Sequence, residues 1–299
     1  IGIAGAALSN GNYTLTIPAA AVSGGQIFVN AGAGNDVLKV MLTDGQLLPA
    51  ITFDGGVGGF DTLEIHGNDL GDLVFNYVNG HDGDVVMSNF GTVTYKGLEP
   101  VLVDADVAPA TAIFNLPGGP STAFLEDDGT LLNSTIQLRS GNGSFETTTF
   151  TVPTSSLVIN RGHASDTLTI DALADYTASL TVGDAVNPLA SINVQGALAI
   201  TGSVGLFAGN ITSTAAGTIS TTTGLSITNT GAANTLAGLI SGTGGLTKSG
   251  TGTLTLTGAN SYAGVTNINA GVLSVSSLAN GGVASNIGQS TNAAANLVL

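Results

Sequence analysis

Apolar and polar residues alternate with a period of two along most of this chain, as in YTLTI (13–17), DTLEI (61–65), TVTY (92–95), SLVI (156–159), DTLTI (166–170), LSITN (225–229), LTLTG (254–258) and VLSV (272–275). That period predicts strands with one buried and one outward face, and no stretch shows a convincing 3.6-residue period. Clusters of Gly, Asn, Asp and Pro break the strands at intervals that fit either a sandwich or a solenoid. The predicted class is all-β.

Repeats decide the matter in the last third. TISTTTGLSITNTGAANTLAGLISGTGGLTKSGTGTLTLTG divides into units of about twenty residues, each a glycine or asparagine turn followed by a strand, a length typical of parallel β-solenoids. One such rung cannot offset the entropy of ordering itself, whereas stacked rungs cover each other's open faces. Outward Thr, Ser and Asn then fall into columns about 4.8 Å apart, where like charges would repel.

Charge divides the chain sharply. All 20 acidic residues lie between Asp36 and Asp184 with four of the five basic ones, so residues 1–184 carry 4 minus 20, or −16, and residues 185–299 carry +1, from Lys248 alone. This places a boundary near residues 186–189, between an acidic β-rich module (1–185), solenoid or sandwich, and a neutral parallel β-solenoid (186–299). The net charge of −15 argues against nucleic acid and anionic membranes as partners. No apolar run approaches 18 residues, so the chain is not expected to span a membrane. Cysteine is absent, which removes disulfides and thiolate metal sites and agrees with an exported bacterial protein. A start at Ile1 and an end in NLVL, mid-strand by pattern, read as a piece of a longer polypeptide.

Residues 239–275, and GGLTKSGTGTLTLTGANSYAG within them, resemble the autotransporter-associated β-strand repeat, also called the passenger-associated transport repeat. Gly244, Gly245, Leu246, Lys248, Gly250, Gly252, Leu254, Leu256, Gly258, Asn260, Tyr262 and Gly264 carry the likeness, followed by Asn269, Ala270, Gly271 and Leu273. Val265 departs from it where the family usually has glycine, and residues 276–299 resemble what commonly follows the repeat. The resemblance implies a right-handed parallel β-helix in a secreted or surface-displayed bacterial passenger. In the acidic part GNDVLKV, GGFDTLEI, TYKGLEPV, FNLPGG, LEDDGT and SFETTTF resemble, more loosely, repeated segments of very large bacterial surface and adhesin proteins.

Candidate chemistry is sparse. AGAGNDVLK (31–39) fits the calcium-binding nonapeptide GGxGxDxUx except at Ala31, with fainter echoes around Asp61 and Asp166; glycines there free the turn's carbonyls and the Asp supplies a hard oxygen. Calcium at Asp36, Asp61 and Asp166 is therefore the candidate cofactor. However, those residues lie 25 and 105 apart instead of nine, so a local Asp turn bond is the competing explanation. The acidic turns HDGD, DAD and EDDG have the same two readings. Asp82 and Asp84, or Asp104 and Asp106, offer carboxylate pairs to a polysaccharide-active enzyme, but Trp is absent and basic residues are few. His66, His81 and His163 sit in no catalytic motif. The expected function is a non-enzymatic stalk, fibre or matrix segment that associates with itself or with a cell-surface ligand. A polysaccharide-active passenger and a calcium-stiffened adhesin module are the alternatives.

Overall fold

The computed structural model describes residues 25–42, 49–232 and 234–299. The YTLTI stretch lies outside them. Strands β1 (Gln26–Asn30), β2 (Val37–Leu42), β3 (Ala50–Asp54), β4 (Thr62–Asp69), β5 (Leu73–Tyr77), β6 (Gly83–Met87), β7 (Gly91–Lys96), β8 (Val101–Val107) and β9 (Thr111–Asn115) come first. Next are β10 (Thr122–Asp127), β11 (Thr135–Ser140), β12 (Thr148–Thr151), β13 (Ser156–Asn160), β14 (Thr167–Ile170), β15 (Ser179–Val182), β16 (Leu189–Val194), β17 (Leu198–Ile200) and β18 (Ser203–Ser213). The last are β19 (Ile219–Thr221), β20 (Gly224–Asn229), β21 (Asn234–Leu236), β22 (Ile240–Ser241), β23 (Gly245–Ser249), β24 (Thr253–Leu256), β25 (Thr266–Ile268), β26 (Val272–Val275) and β27 (Leu297–Val298). The other seven predicted strands all coincide with members of this series. No helix among the described residues is long and apolar enough to cross a membrane.

Hydrogen-bonded partners sort the strands into a parallel β-solenoid. One sheet reads β1-β3-β7-β6-β5-β9-β13-β15-β18-β20-β23-β25-β27. A second reads β2-β4-β8-β12-β11-β10-β14-β16-β18-β21-β24-β26. Strand β18 is 11 residues long and turns the corner between them. A short third sheet, β17-β19-β22, closes the section in the later rungs.

Two interruptions share one design. After β4 the chain skips past the place next to β3 to lay down β5, then returns antiparallel through β6 so that β7 fills the gap on β3. The second sheet repeats this: β10 overshoots, β11 returns, and β12 docks on β8. Each insertion adds two strands to its own sheet, so the second restores the balance the first disturbed. From β13 onward the coil is regular, and the ladder passes residues 186–189 without a break, β14 pairing with β16 and β13 with β15. The change at Asp184 is a change of surface chemistry on one continuous stack.

The core follows from the alternation. In β14 (TLTI) and β24 (TLTL) Leu and Ile are buried while Thr faces outward. Leu157, Leu180, Val204, Leu225 and Leu246 occupy one inward column, each contributing about 1.5–3 kcal/mol when fully buried. Aromatic residues concentrate beside the insertions, where Phe114 stacks on Phe75 with ring centroids 4.3 Å apart and meets Phe150 of the second sheet at 4.7 Å. Rungs are close-packed at the turns: a Cβ on Gly59, which has φ +125, would lie 1.8 Å from the Gly34 carbonyl oxygen. Only glycine can lie over glycine there.

Candidate functional site

Three of the acidic residues flagged in the sequence, Asp36, Asp61 and Asp166, lie along one corner, where the chain enters the second sheet, and Glu99 and Glu146, which no motif in the sequence singled out, lie there too. Asp36 directly precedes β2 and Asp61 directly precedes β4; Glu99 lies two residues before β8, and Glu146 two before β12. Stacked carboxylates repel, yet here they hold the rungs together. Asp36 donates its backbone N–H to Asp61 Oδ1 at 2.8 Å, and Asp61 donates its own to Glu99 Oε2 at 3.3 Å. Asp61 and Glu99 each thereby receive a main-chain donor that the corner would otherwise leave unpaired, whereas Asp36 Oδ2 is buried without a hydrogen-bond partner among the described residues.

Farther along this corner, His81 of the β5–β6 turn reaches across. Its Nδ1 lies 3.1 Å from Glu146 Oε1, 3.4 Å from Glu99 Oε1 and 3.1 Å from the Leu98 carbonyl. That carbonyl, with the two carboxylates, holds the imidazole pKa above its ordinary value despite partial burial. Glu146 is 7% exposed. Burial raises its pKa to about 7; His81 pulls it down and Glu99 pushes it up. The first insertion is thus tied to the second through His81 and Glu146, the Glu146 carboxyl taking up its proton near neutrality.

Asp166 directly precedes β14, farther along the second sheet. It is fully buried, its Oδ1 accepting from Ser121 N at 2.7 Å and its Oδ2 from Gly162 N and His163 N at 2.9 Å each. The structure therefore brings Asp36 and Asp61 together and leaves Asp166 apart. Among the described residues no group of three or more His, Asp or Glu side chains is arranged to hold a metal ion. Asp82 accepts from Gly97 N and Asn79, Asp84 accepts from Asn76, and Asp104 faces His66 at 3.4 Å on the other sheet.

Lys248 is the residue that pattern reading undervalued. It occupies the inward column of Ile159, Val182, Leu206, Ile227 and Ile268 and is fully buried. Its ammonium donates to the carbonyls of Ser249 (2.7 Å), Gly250 (2.9 Å) and Ala270 (3.2 Å), while desolvation lowers its pKa. The one charge after Asp184 is inside, so this stretch of surface carries no formal charge. The strand parity of LTKS, which sets Lys248 on the side of Leu246, is the signal that could have found it. Asn260 and Tyr262 are internal as well: Asn260 accepts from Ile240 N at 2.8 Å, and the Tyr262 hydroxyl meets Thr266 at 2.7 Å. The shared motif of residues 244–264 thus encodes the inside of a rung.

The described residues form a parallel β-solenoid whose repeated motif is turned inward. Residues 246–275 match the family described as passenger-associated-transport-repeat. Over 55 residues, 18% of this chain, the sequence is 56% identical to the Adhesin BmaC autotransporter of Brucella suis biovar 1 (strain 1330), and the match spans 2% of that relative. The chain therefore corresponds to a small fraction of the length of this much larger adhesin. No solved structure matches it.

Proposed function

We propose that this chain is a non-enzymatic structural and adhesive segment of a large bacterial surface protein, a stalk or spacer carrying contact surfaces along its sides. The observation that carries this reading is the unbroken ladder from β1 to β27 with a passenger-type repeat built into its later rungs. The repeat and the adhesin relative place it outside the cell, surface-exposed or secreted. Cell or host surfaces are its expected ligands.

The polysaccharide-active alternative is disfavoured by the carboxylates themselves. Asp82 and Asp84 are engaged in holding a hairpin, and Asp104 leans on His66. An antibody raised against residues 25–299 should decorate intact cells that express the parent protein, and the isolated chain should release no reducing sugar from acidic or neutral glycans. Labelling only after permeabilisation, or measurable sugar release, would overturn the proposal.

A further inference from the structure

The turn between β10 and β11, residues 128–134, holds two aliphatic side chains in solvent: Leu131 is 70% exposed and Leu132 88%. Its backbone is unusual. Among the described residues only Leu132 (φ 63°) and Ser134 (φ 61°) carry a side chain on a left-handed backbone, a conformation that strains most L-residues and that Gly or Asn would take more readily. Acidic side chains hold it there. Asp175, in the connection from β14 to β15, accepts from three successive backbone N–H groups, those of Leu132 (3.0 Å), Asn133 (3.1 Å) and Ser134 (3.3 Å). Asp128 accepts from Thr130 N (2.9 Å), from the Asn133 side-chain amide (2.9 Å) and from the Thr135 hydroxyl (2.6 Å), and Asp127 accepts from Gly129 N (2.8 Å). Five main-chain donors of the turn are thus paired behind the tip, and in front of them stand the two leucines. A strained backbone fixed by this many contacts points to a use for the side chains it displays.

We propose that this tip is a lipid anchor, Leu131 and Leu132 inserting into an electrically neutral phospholipid surface of the phosphatidylcholine type. Three features select that partner. Leucine side chains leave water favourably for hydrocarbon, and a turn whose main-chain donors are already paired can enter the membrane interface without stranding them. Two side chains on a narrow turn are far too small for a protein–protein interface, which takes roughly 800 Å² per partner, whereas a bilayer needs no complementary surface. The carboxylates of Asp127, Asp128 and Asp175 behind the tip, in a chain of net charge −15, repel an anionic bilayer and suit headgroups whose outermost group is a trimethylammonium. One tip holds weakly, so retention depends on many copies meeting the same surface. This deepens the surface-adhesive reading and rests on it, because surface display supplies those copies and brings them to a membrane.

The chain has no Trp, so Leu131→Trp gives the 299-residue chain a single indole at the tip, and Val186→Trp places one on the exposed turn between β15 and β16 as a control. With phosphatidylcholine vesicles the emission of the indole at position 131 should shift to the blue and be quenched by brominated acyl chains, while that at position 186 should not move. Mixing in phosphatidylglycerol should weaken the shift at low salt. Beads coated at high density with the wild-type chain, coupled through its N-terminus, should retain phosphatidylcholine vesicles. Leu131→Ser with Leu132→Asn should retain at least about tenfold fewer, one factor-of-ten step in association, with a melting temperature unchanged or raised, since Asn accepts the left-handed backbone. If that pair fails to fold, Leu131→Ser alone carries the bead test. A silent indole at 131, an equal shift at 186, tighter binding to the anionic vesicles, or a leucine-free tip that retains vesicles like the wild type would each overturn the proposal. Wild-type beads that ignore vesicles yet adhere to cells would sink the lipid anchor alone and leave the surface-adhesive reading standing.

Discussion

At the scale of single residues, the side chains that alternation alone marks as outliers turn out to be joints. Lys248 sits where its strand parity puts it, but the carbonyls that receive it come from residues 249, 250 and 270, and only the coil brings the last of these near. Lys248→Met fills the same space without a donor and should cost about 1–3 kcal/mol, read as a lower urea midpoint with faster amide exchange near Ala270. Glu146 binds its proton more tightly folded than unfolded, and so does His81. Their contribution to stability is therefore complete below the unfolded values and is lost as pH rises through the folded ones, for Glu146 from about 4.5 to about 7. Glu146→Gln should raise the melting temperature at pH 8 by a few degrees and change it little at pH 4.5, ~3.5 units lower, which calorimetry at the two values checks. Calcium gives the opposite expectation. Asp61 and Asp166 already hold main-chain N–H groups, so millimolar calcium should leave the melt unshifted, where a bound ion would raise it by mass action.

At the scale of elements, the strands were legible and their order was not. Period-two alternation is the same whether a strand's neighbours run parallel or antiparallel, so DTLEI, SLVI and DTLTI announce themselves while the placing of β5 two positions ahead of its turn does not. The turn sequences NG at 79–80 and GNG at 141–143 mark the reversals only once the hairpins are known. The acidic part, open to either a solenoid or a sandwich by pattern, resolves into a solenoid because each insertion's last strand returns to the parallel ladder. The aromatic stack is what secures these crossings. Phe114→Ala, which removes the ring lying between Phe75 and Phe150, should cost about 3–5 kcal/mol in equilibrium urea unfolding, a larger loss than any single leucine truncation in the regular rungs.

At the scale of the whole molecule, the division of charge was plain from composition, while the continuity beneath it was not, because composition reports surfaces and says nothing of hydrogen-bond ladders. One stack carries two surface chemistries, so salt should act on one part of it. Raising NaCl from ~0.01 to ~0.3 M screens the self-repulsion of the acidic residues; amide exchange should slow in residues 50–184 and stay constant in residues 190–275, measured by mass spectrometry. The overshooting strands carry a mechanical consequence. A plain helical ribbon under tension peels turn after turn, like thread from a bobbin. Between Thr62 and Thr151 the ribbon twice overshoots and doubles back within its sheet, so a strand pulled there bears on neighbours laid down both before and after it. When the stack is pulled from its ends, that stretch should therefore yield later than the plain coil beyond it, which force spectroscopy on the chain checks.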